Sequence, residues 1–318
     1  MEKILIIGAC GQVGSELTLA LRASYGNDNV WASDVREESP VLKGTGPYLI
    51  LSATDSEATR AFVEKEGITQ VYLLAALMSA TGEANPKLCW ELNMDGLRQV
   101  LNLAVEMKEK GKPFKIFWPS SIAVFGNTTP KKNTEQMTVI EPTTMYGITK
   151  YAGELLCQYY NRRYGVDVRS IRYPGLISWK TAPGGGTTDY AVDIYIQALK
   201  AGKYTCFLSE NTPLPMMYMD DAIRATIELM QAPVEKMKTH MAYNLSAMSF
   251  TPKEITEVIK KRIPNFEISY APDHRQAIAD SWPGSIDDSV ARSEWGWKHE
   301  FDLEKMTDAM LNNLKTIS

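Results

Sequence analysis

The sequence predicts an α/β chain: a doubly wound parallel sheet with a smaller, discontinuous C-terminal lobe. Two observations carry that prediction. The first is a series of short, nearly uninterrupted apolar runs (Lys3 to Ile7, Val30 to Ser33, Tyr48 to Leu51, Val71 to Ala76, Lys115 to Trp118) separated by stretches of helical period. Strands apolar on both sides belong in a parallel sheet covered on both faces. The second is the position of Gly8, Gly11 and Gly14, which fall between the first run and the first helical stretch. A chain of 318 residues, 44% hydrophobic and 23% charged, can form one large domain or two unequal lobes. The expected division is 1–175 for the sheet domain, with 216–245 partly returning to it, and 176–215 plus 246–318 for the smaller lobe.

The formal net charge of −4 offers no basic field to a phosphate backbone, so nucleic acid is not an expected partner. The N-terminal apolar run is shorter than a signal-peptide core or a membrane span, which predicts a cytoplasmic protein with no membrane association. Cys10, Cys89, Cys157 and Cys206 form no CxxC pair and predict reduced thiols. His240, His274 and His299 stand alone, so no metal site is expected.

Taken in order, the glycines after the first strand let a phosphate approach the backbone closely. The helix through Leu17, Leu19 and Leu21 then presents unpaired N–H groups and a positive dipole end. The second strand ends in Asp34, twenty residues beyond Gly14. A carboxylate there accepts both hydroxyls of an adenosine ribose and repels a 2′-phosphate, which favours NAD over NADP although Arg36 lies close by. Ser56 to Glu66 reads as a helix, Leu77 to Ala80 as a loop leaving the fourth strand, and Glu91 to Lys108 as an amphipathic helix with Asn93 on its first turns. The fifth strand delivers Ser121.

Tyr146 and Lys150 are four residues apart, which puts both on one face of a helix. One positive charge about 4 Å from a phenol, at an effective dielectric near 20, is worth roughly 4 kcal/mol, enough to make tyrosine a base toward an alcohol. On an exposed helix the same pair is simply solvated, so the pattern needs company.

That company exists. Gly8-x-x-Gly11-x-x-Gly14, Asp34, Asn93, Ser121 and Tyr146-x-x-x-Lys150, with Arg172-Tyr-Pro174 and Tyr218-Met-Asp-Asp221 further on, resemble the extended short-chain dehydrogenase/reductase family over the whole chain. The resemblance implies a Rossmann fold and Tyr146 as general base, assisted by Lys150 and Ser121, with Asn93 in a proton path. It implies NAD contacts from Gly8, Cys10, Gly11, Gln12, Val13, Gly14, Asp34, Val35, Arg36, Ala53, Leu74, Ala75, Ala76, Tyr146, Lys150 and Leu176. Many relatives place an acid after the third strand to contact adenine; this chain has Ser52 there, with Asp55 three further on.

A closer resemblance, carried by Ala75-Ala-Leu-Met-Ser-Ala80, Trp118 to Gly126, Pro183 to Tyr190 and Asp280-Ser-Trp-Pro283, is to the branch of that family that oxidises the C3 hydroxyl of L-threonine. It implies substrate contacts from Ser79, Ser121, Tyr146, Gly184, Thr187, Thr188, Asp189 and Trp282. The backbone N–H groups of the glycine segment suit a carboxylate, and Asp189 suits an ammonium. It also implies a homodimer through the helices beginning near Glu91 and Thr149. Rival readings are a sugar-nucleotide epimerase or dehydratase, and an NAD-binding sensor without chemistry. In the second half, Tyr190 to Ala201 and Met216 to Met230 read as helices, Tyr243 to Leu245 as a short strand, Thr251-Pro252 as a capped helix start, and Pro272 to Trp282 as irregular.

Overall fold

The computed structural model describes residues 2–317. Five strands appear in the first 117 residues: β1 (Ile4–Ile7), β2 (Val30–Asp34), β3 (Tyr48–Ile50), β4 (Gln70–Leu73) and β5 (Lys115–Phe117). With β7 (Asp167–Arg169) they form one six-stranded sheet in the order β3-β2-β1-β4-β5-β7, every pairing parallel. The two-residue β6 (Ser120–Ser121) lies outside it and joins β8 (Ile171–Tyr173) in a small separate sheet. The order reverses direction at β1 and β4, and a ligand-binding crevice in such sheets lies beyond the carboxyl ends of the strands at that switch.

Helices α1 (Gln12–Tyr25), α2 (Ser56–Glu66), α3 (Ser79–Ala84), α4 (Pro86–Trp90), α5 (Gly96–Glu109) and α6 (Met145–Tyr164) make the crossovers. Local chemistry starts two of them: Asp55 caps α2 by accepting the Ala58 N–H at 3.0 Å, and Thr144 caps α6 by accepting Gly147 N–H at 3.1 Å. Leu97, Val100, Leu101 and Ala104 of α5 pack with Leu5, Ile7, Val71 and Leu73 into a buried core, the stripe expected from the sequence.

The chain clusters into two compact units. The first holds Met1–Ser121, Thr144–Arg172 and Ile223–Tyr243; the second holds Ile122–Thr143, Tyr173–Ala222 and Asn244–Ser318. The grouping of 122–143 with the second unit was not expected. Its cause is a set of contacts far apart in sequence: Thr134 bridges Ile286, the Thr134 N–H reaches Ser285 O at 3.0 Å, and Lys131 Nζ reaches Ser281 O at 2.6 Å.

The second unit contains β9 (Gly175–Ile177), α7 (Tyr190–Lys200), β10 (Lys203–Cys206) and β11 (Leu214–Tyr218). Then come α8 (Met219–Gln231), which carries the chain back to the first unit, and β12 (Tyr243–Asn244). The chain goes on through β13 (Met248–Phe250), α9 (Pro252–Lys260), β14 (Glu267–Tyr270) and α10 (Arg275–Ser281). The expected helix from Met216 is corrected: Leu214 to Tyr218 is a wholly buried strand, parallel to β9 and antiparallel to β13, and the helix starts only at Met219. Methionine and tyrosine tolerate either state, and strand partners decide. Pro272 to Trp282 is likewise not all irregular, since α10 occupies most of it. α9 opens as expected, with a Thr251–Glu254 capping box and Pro252 in the first turn. Among the described residues no helix is long and apolar enough to cross a membrane.

Candidate active site

The glycine loop is built by close backbone approach. Gly8 has φ of 95°, and a Cβ there would stand 2.5 Å from Ala75 N; a Cβ on Gly14 would stand 2.2 Å from Gly8 O. Neither position has room for a methyl group. The tightness at Gly8 follows from the sheet, because Leu74 N and Ala75 N both turn to Ile7 O at 2.8 and 3.0 Å, which ends β4 before the expected Ala76. Gly11 caps α1 without a side-chain acceptor, so Gln12, Val13 and Gly14 form the open first turn that an anion requires.

Asp34 closes this region. It is buried, its Oδ2 accepts Cys10 N–H at 3.1 Å, and Arg36 Nε and NH2 reach its two oxygens at 3.0 and 3.1 Å. Burial by itself raises the Asp34 carboxyl, but the bonds from Arg36 and Cys10 outweigh it and hold the group below the usual carboxylate range. Asp34 is therefore a carboxylate at neutral pH, and Arg36 is engaged with it. Val35 is 65% exposed beside them, Ala53 is buried, and Leu74 to Ala76 are half-buried. A cavity of about 540 Å³ lies near Ser52 and Thr54 and is also lined by Asp95, Arg98 and Gln99. A cradle with no room for side chains, a first helical turn offering N–H groups and a strand-end carboxylate together fit a dinucleotide.

Tyr146 and Lys150 are both buried on α6, as their spacing predicts. Tyr146 hydrogen-bonds Ser121 of β6. Lys150 Nζ donates to Pro119 O at 2.7 Å and lies 4.6 Å from the Trp118 ring centre and 5.5 Å from that of Tyr146. Burial dominates the electrostatics of the pair. Burial pushes the Tyr146 phenol up to about 12, with the Ser121 bond drawing it partly back, and burial pulls Lys150 down to about 7. Both groups are driven toward their neutral forms because both have left water.

Asn93 sits in a π-helical turn, Glu91–Asp95, between α4 and α5, where a continuous helix was expected. Its Oδ1 accepts Leu77 N–H at 2.9 Å; its Nδ2 donates to Leu77 O at 3.2 Å and to Thr149 Oγ1 at 3.0 Å. Its amide clamps the peptide of Leu77, two residues before Ser79 at the start of α3. Trp118 and Thr149 were not expected from sequence as site residues. An aromatic at a strand end and a hydroxyl next to Lys150 carry no distinctive spacing.

In the second unit, Leu176 is half-buried on β9, Thr187 is buried, and Trp282 is buried at the end of α10. The glycine segment differs from expectation in one respect. The N–H groups of Gly184, Gly185 and Gly186 all donate to Asp189 Oδ2, at 2.7, 2.8 and 2.8 Å. The carboxylate they hold here is the chain's own.

A parallel sheet in this order, with a glycine cradle and a strand-end aspartate, defines a Rossmann-type NAD-binding protein, and Tyr146, Lys150 and the half-buried Ser121 lie together on it. The comparisons agree. The family model described as NAD dependent epimerase/dehydratase family matches residues 4–246. An uncharacterised epimerase/dehydratase of Staphylococcus haemolyticus is 51% identical over 99% of this chain and 98% of its own length. Among solved structures, a GalE-like L-threonine dehydrogenase from Cupriavidus necator in its holo form is 56% identical with a TM-score of 0.94, over 98% of this chain and 99% of that one. L-threonine dehydrogenase from Clostridium difficile is 49% identical with a TM-score of 0.96, over 100% and 98%. The chain belongs to the NAD dependent epimerase/dehydratase family.

Proposed function

We propose that this enzyme oxidises the C3 hydroxyl of L-threonine to 2-amino-3-oxobutanoate, with Tyr146 taking the hydroxyl proton. The observation that supports the substrate most strongly is near-complete coverage, at 49–56% identity, by solved structures that are L-threonine dehydrogenases. The rival reading, a sugar-nucleotide epimerase or dehydratase, shares the fold, but the curated relatives that carry an epimerase/dehydratase name are uncharacterised and the sugar-nucleotide epimerase among the solved structures is only 23% identical.

The Gly8–Gly14 loop and Asp34 would hold NAD⁺, which when bound would supply the hydride acceptor for C3 and a positive charge. Ser121 orients the reacting oxygen and stabilises the Tyr146 phenolate. Lys150, drawn to about 7 by burial, is the charge most readily gained or lost beside that phenol. Because Tyr146 must lose a proton from a phenol that burial holds high, turnover is expected to rise toward alkaline pH. Ser79, Gly184, Thr187, Thr188, Asp189 and Trp282 enter this reading as substrate residues by resemblance alone.

The test is NADH absorbance on mixing the protein with NAD⁺ and L-threonine, with L-serine, L-allo-threonine and UDP-sugars as controls. L-threonine is expected to be the preferred substrate, and Tyr146→Phe is expected to cut kcat by roughly 10³-fold while NAD⁺ binding persists. Turnover of a UDP-sugar without L-threonine oxidation would move the reading to the rival.

A homodimer through α6 belongs to the same proposal. Ile148, Leu155 and Tyr159, at helical spacing, leave 42%, 44% and 53% of their surface exposed on one helix. Light scattering should report a dimer, and Leu155→Glu a monomer. An unaltered mass for that variant would show that the face is not the interface.

A further inference from the structure

Three consecutive residues each make one hydrogen bond to a different turn of α6. Pro119 O accepts from Lys150 Nζ at 2.7 Å, Ser120 Oγ donates to Glu154 Oε1 at 2.6 Å, and Ser121 bonds Tyr146. Tyr146, Lys150 and Glu154 are spaced by four, so a single stripe of the helix meets one short segment of extended chain.

Glu154 has no part in the proposed proton transfer, yet it is wholly buried. Its partner Arg172 is buried too, and the pair is bidentate: Arg172 Nε reaches Oε1 at 2.9 Å and NH2 reaches Oε2 at 2.7 Å. A buried ion pair stabilises a fold no better than apolar side chains of the same size. Packing alone therefore does not account for it. What an apolar pair would not supply is an acceptor fixed in direction, and Oε1 is the oxygen that Arg172 and Ser120 share.

We propose that Glu154, aimed by Arg172, is a positioning residue that acts through Ser120 to set the backbone of residues 119–121, so that Ser121 faces Tyr146 and the Pro119 carbonyl faces Lys150. Ser120 and Ser121 are joined by one planar peptide, so a fixed Ser120 side chain leaves only two backbone rotations to set the direction of Ser121. The two-residue β6 has little ladder of its own to do this.

The inference rests on the dehydrogenase reading above. Ser120→Ala leaves the Glu154–Arg172 pair in place and removes only the link. Its kcat is expected to fall about tenfold, the kinetic equivalent of one charge-assisted hydrogen bond, with both KM values held within about twofold. The rising limb of its pH–kcat profile should move to higher pH, as in Ser121→Ala, because the Ser121 bond is what draws the Tyr146 phenol downward. The other groups facing this end of α6 are unchanged in that variant: Lys150 on the same helix, Cys89 of α4, and Glu83 of α3, which accepts the Met145 N–H. Glu154→Gln is the second variant; once circular dichroism and NAD⁺ binding show it folded, the same pH displacement is expected. A Ser120→Ala enzyme with wild-type kcat and pH profile overturns the proposal, whatever its melting temperature. If Tyr146→Phe keeps its turnover, the dehydrogenase reading falls instead. An inactive Tyr146→Phe beside a normal Ser120→Ala removes the positioning role alone.

Discussion

Two glycine-rich loops in this chain look alike in sequence and are built for different reasons. Gly8 to Gly14 is pressed against backbone, where Cβ atoms at Gly8 and Gly14 would fall 2.5 Å from Ala75 N and 2.2 Å from Gly8 O. Gly184 would meet nothing within 4 Å. Each loop also has an aspartate. Asp34 comes from 24 residues beyond Cys10, is buried, and takes one N–H of the loop. Asp189 comes from the next turn of chain and takes three. In the first loop the glycines answer a steric demand, set at Gly8 by the distant end of β4 and at Gly14 by the loop's own backbone, and its aspartate accepts only the Cys10 N–H. In the second they let a local turn fold its N–H groups around a neighbouring carboxylate.

The contrast is sharpest for a single methyl group. Gly14→Ala gains about 1 kcal/mol of helix propensity but must displace the Gly8 carbonyl. The overlap wins, and the variant is expected to lose about 3 kcal/mol in chemical denaturation together with measurable NAD⁺ binding. Wild-type cofactor affinity in that variant would break the steric account of the first loop. Asp189→Ala should act more locally. Amide exchange at Gly184, Gly185 and Gly186 is expected to speed up about tenfold, while the global unfolding temperature scarcely moves. Exchange that stays slow would mean that something other than Asp189 orders the turn. The smallest effect belongs to Gly184→Ala, within about 0.5 kcal/mol of wild type.

The legible parts of the site were those whose chemistry depends on short spacing. Tyr146 and Lys150 share a helix face because four residues make one turn, and Asp34 ends its strand because the apolar run ends there. Met216 to Tyr218 misled because the run suits a helix as well as a strand until β9 and β13 are in place. Glu154 reads as a polar residue on a long helix, and only Arg172 and Ser120, distant in sequence, reveal it as buried and paired.

By itself the sequence determined the alternation of strands and helices, the glycine cradle with its aspartate, and the residues able to handle a proton. Those are consequences of local periodicity and of side-chain chemistry. The tertiary structure alone decided the protonation balance of Tyr146 and Lys150, the π-helical turn that aims Asn93 at Leu77, and the carboxylate that fills the second glycine loop. Desolvation and hydrogen-bond partnership are properties of what packs against a residue, and no spacing along the chain encodes them.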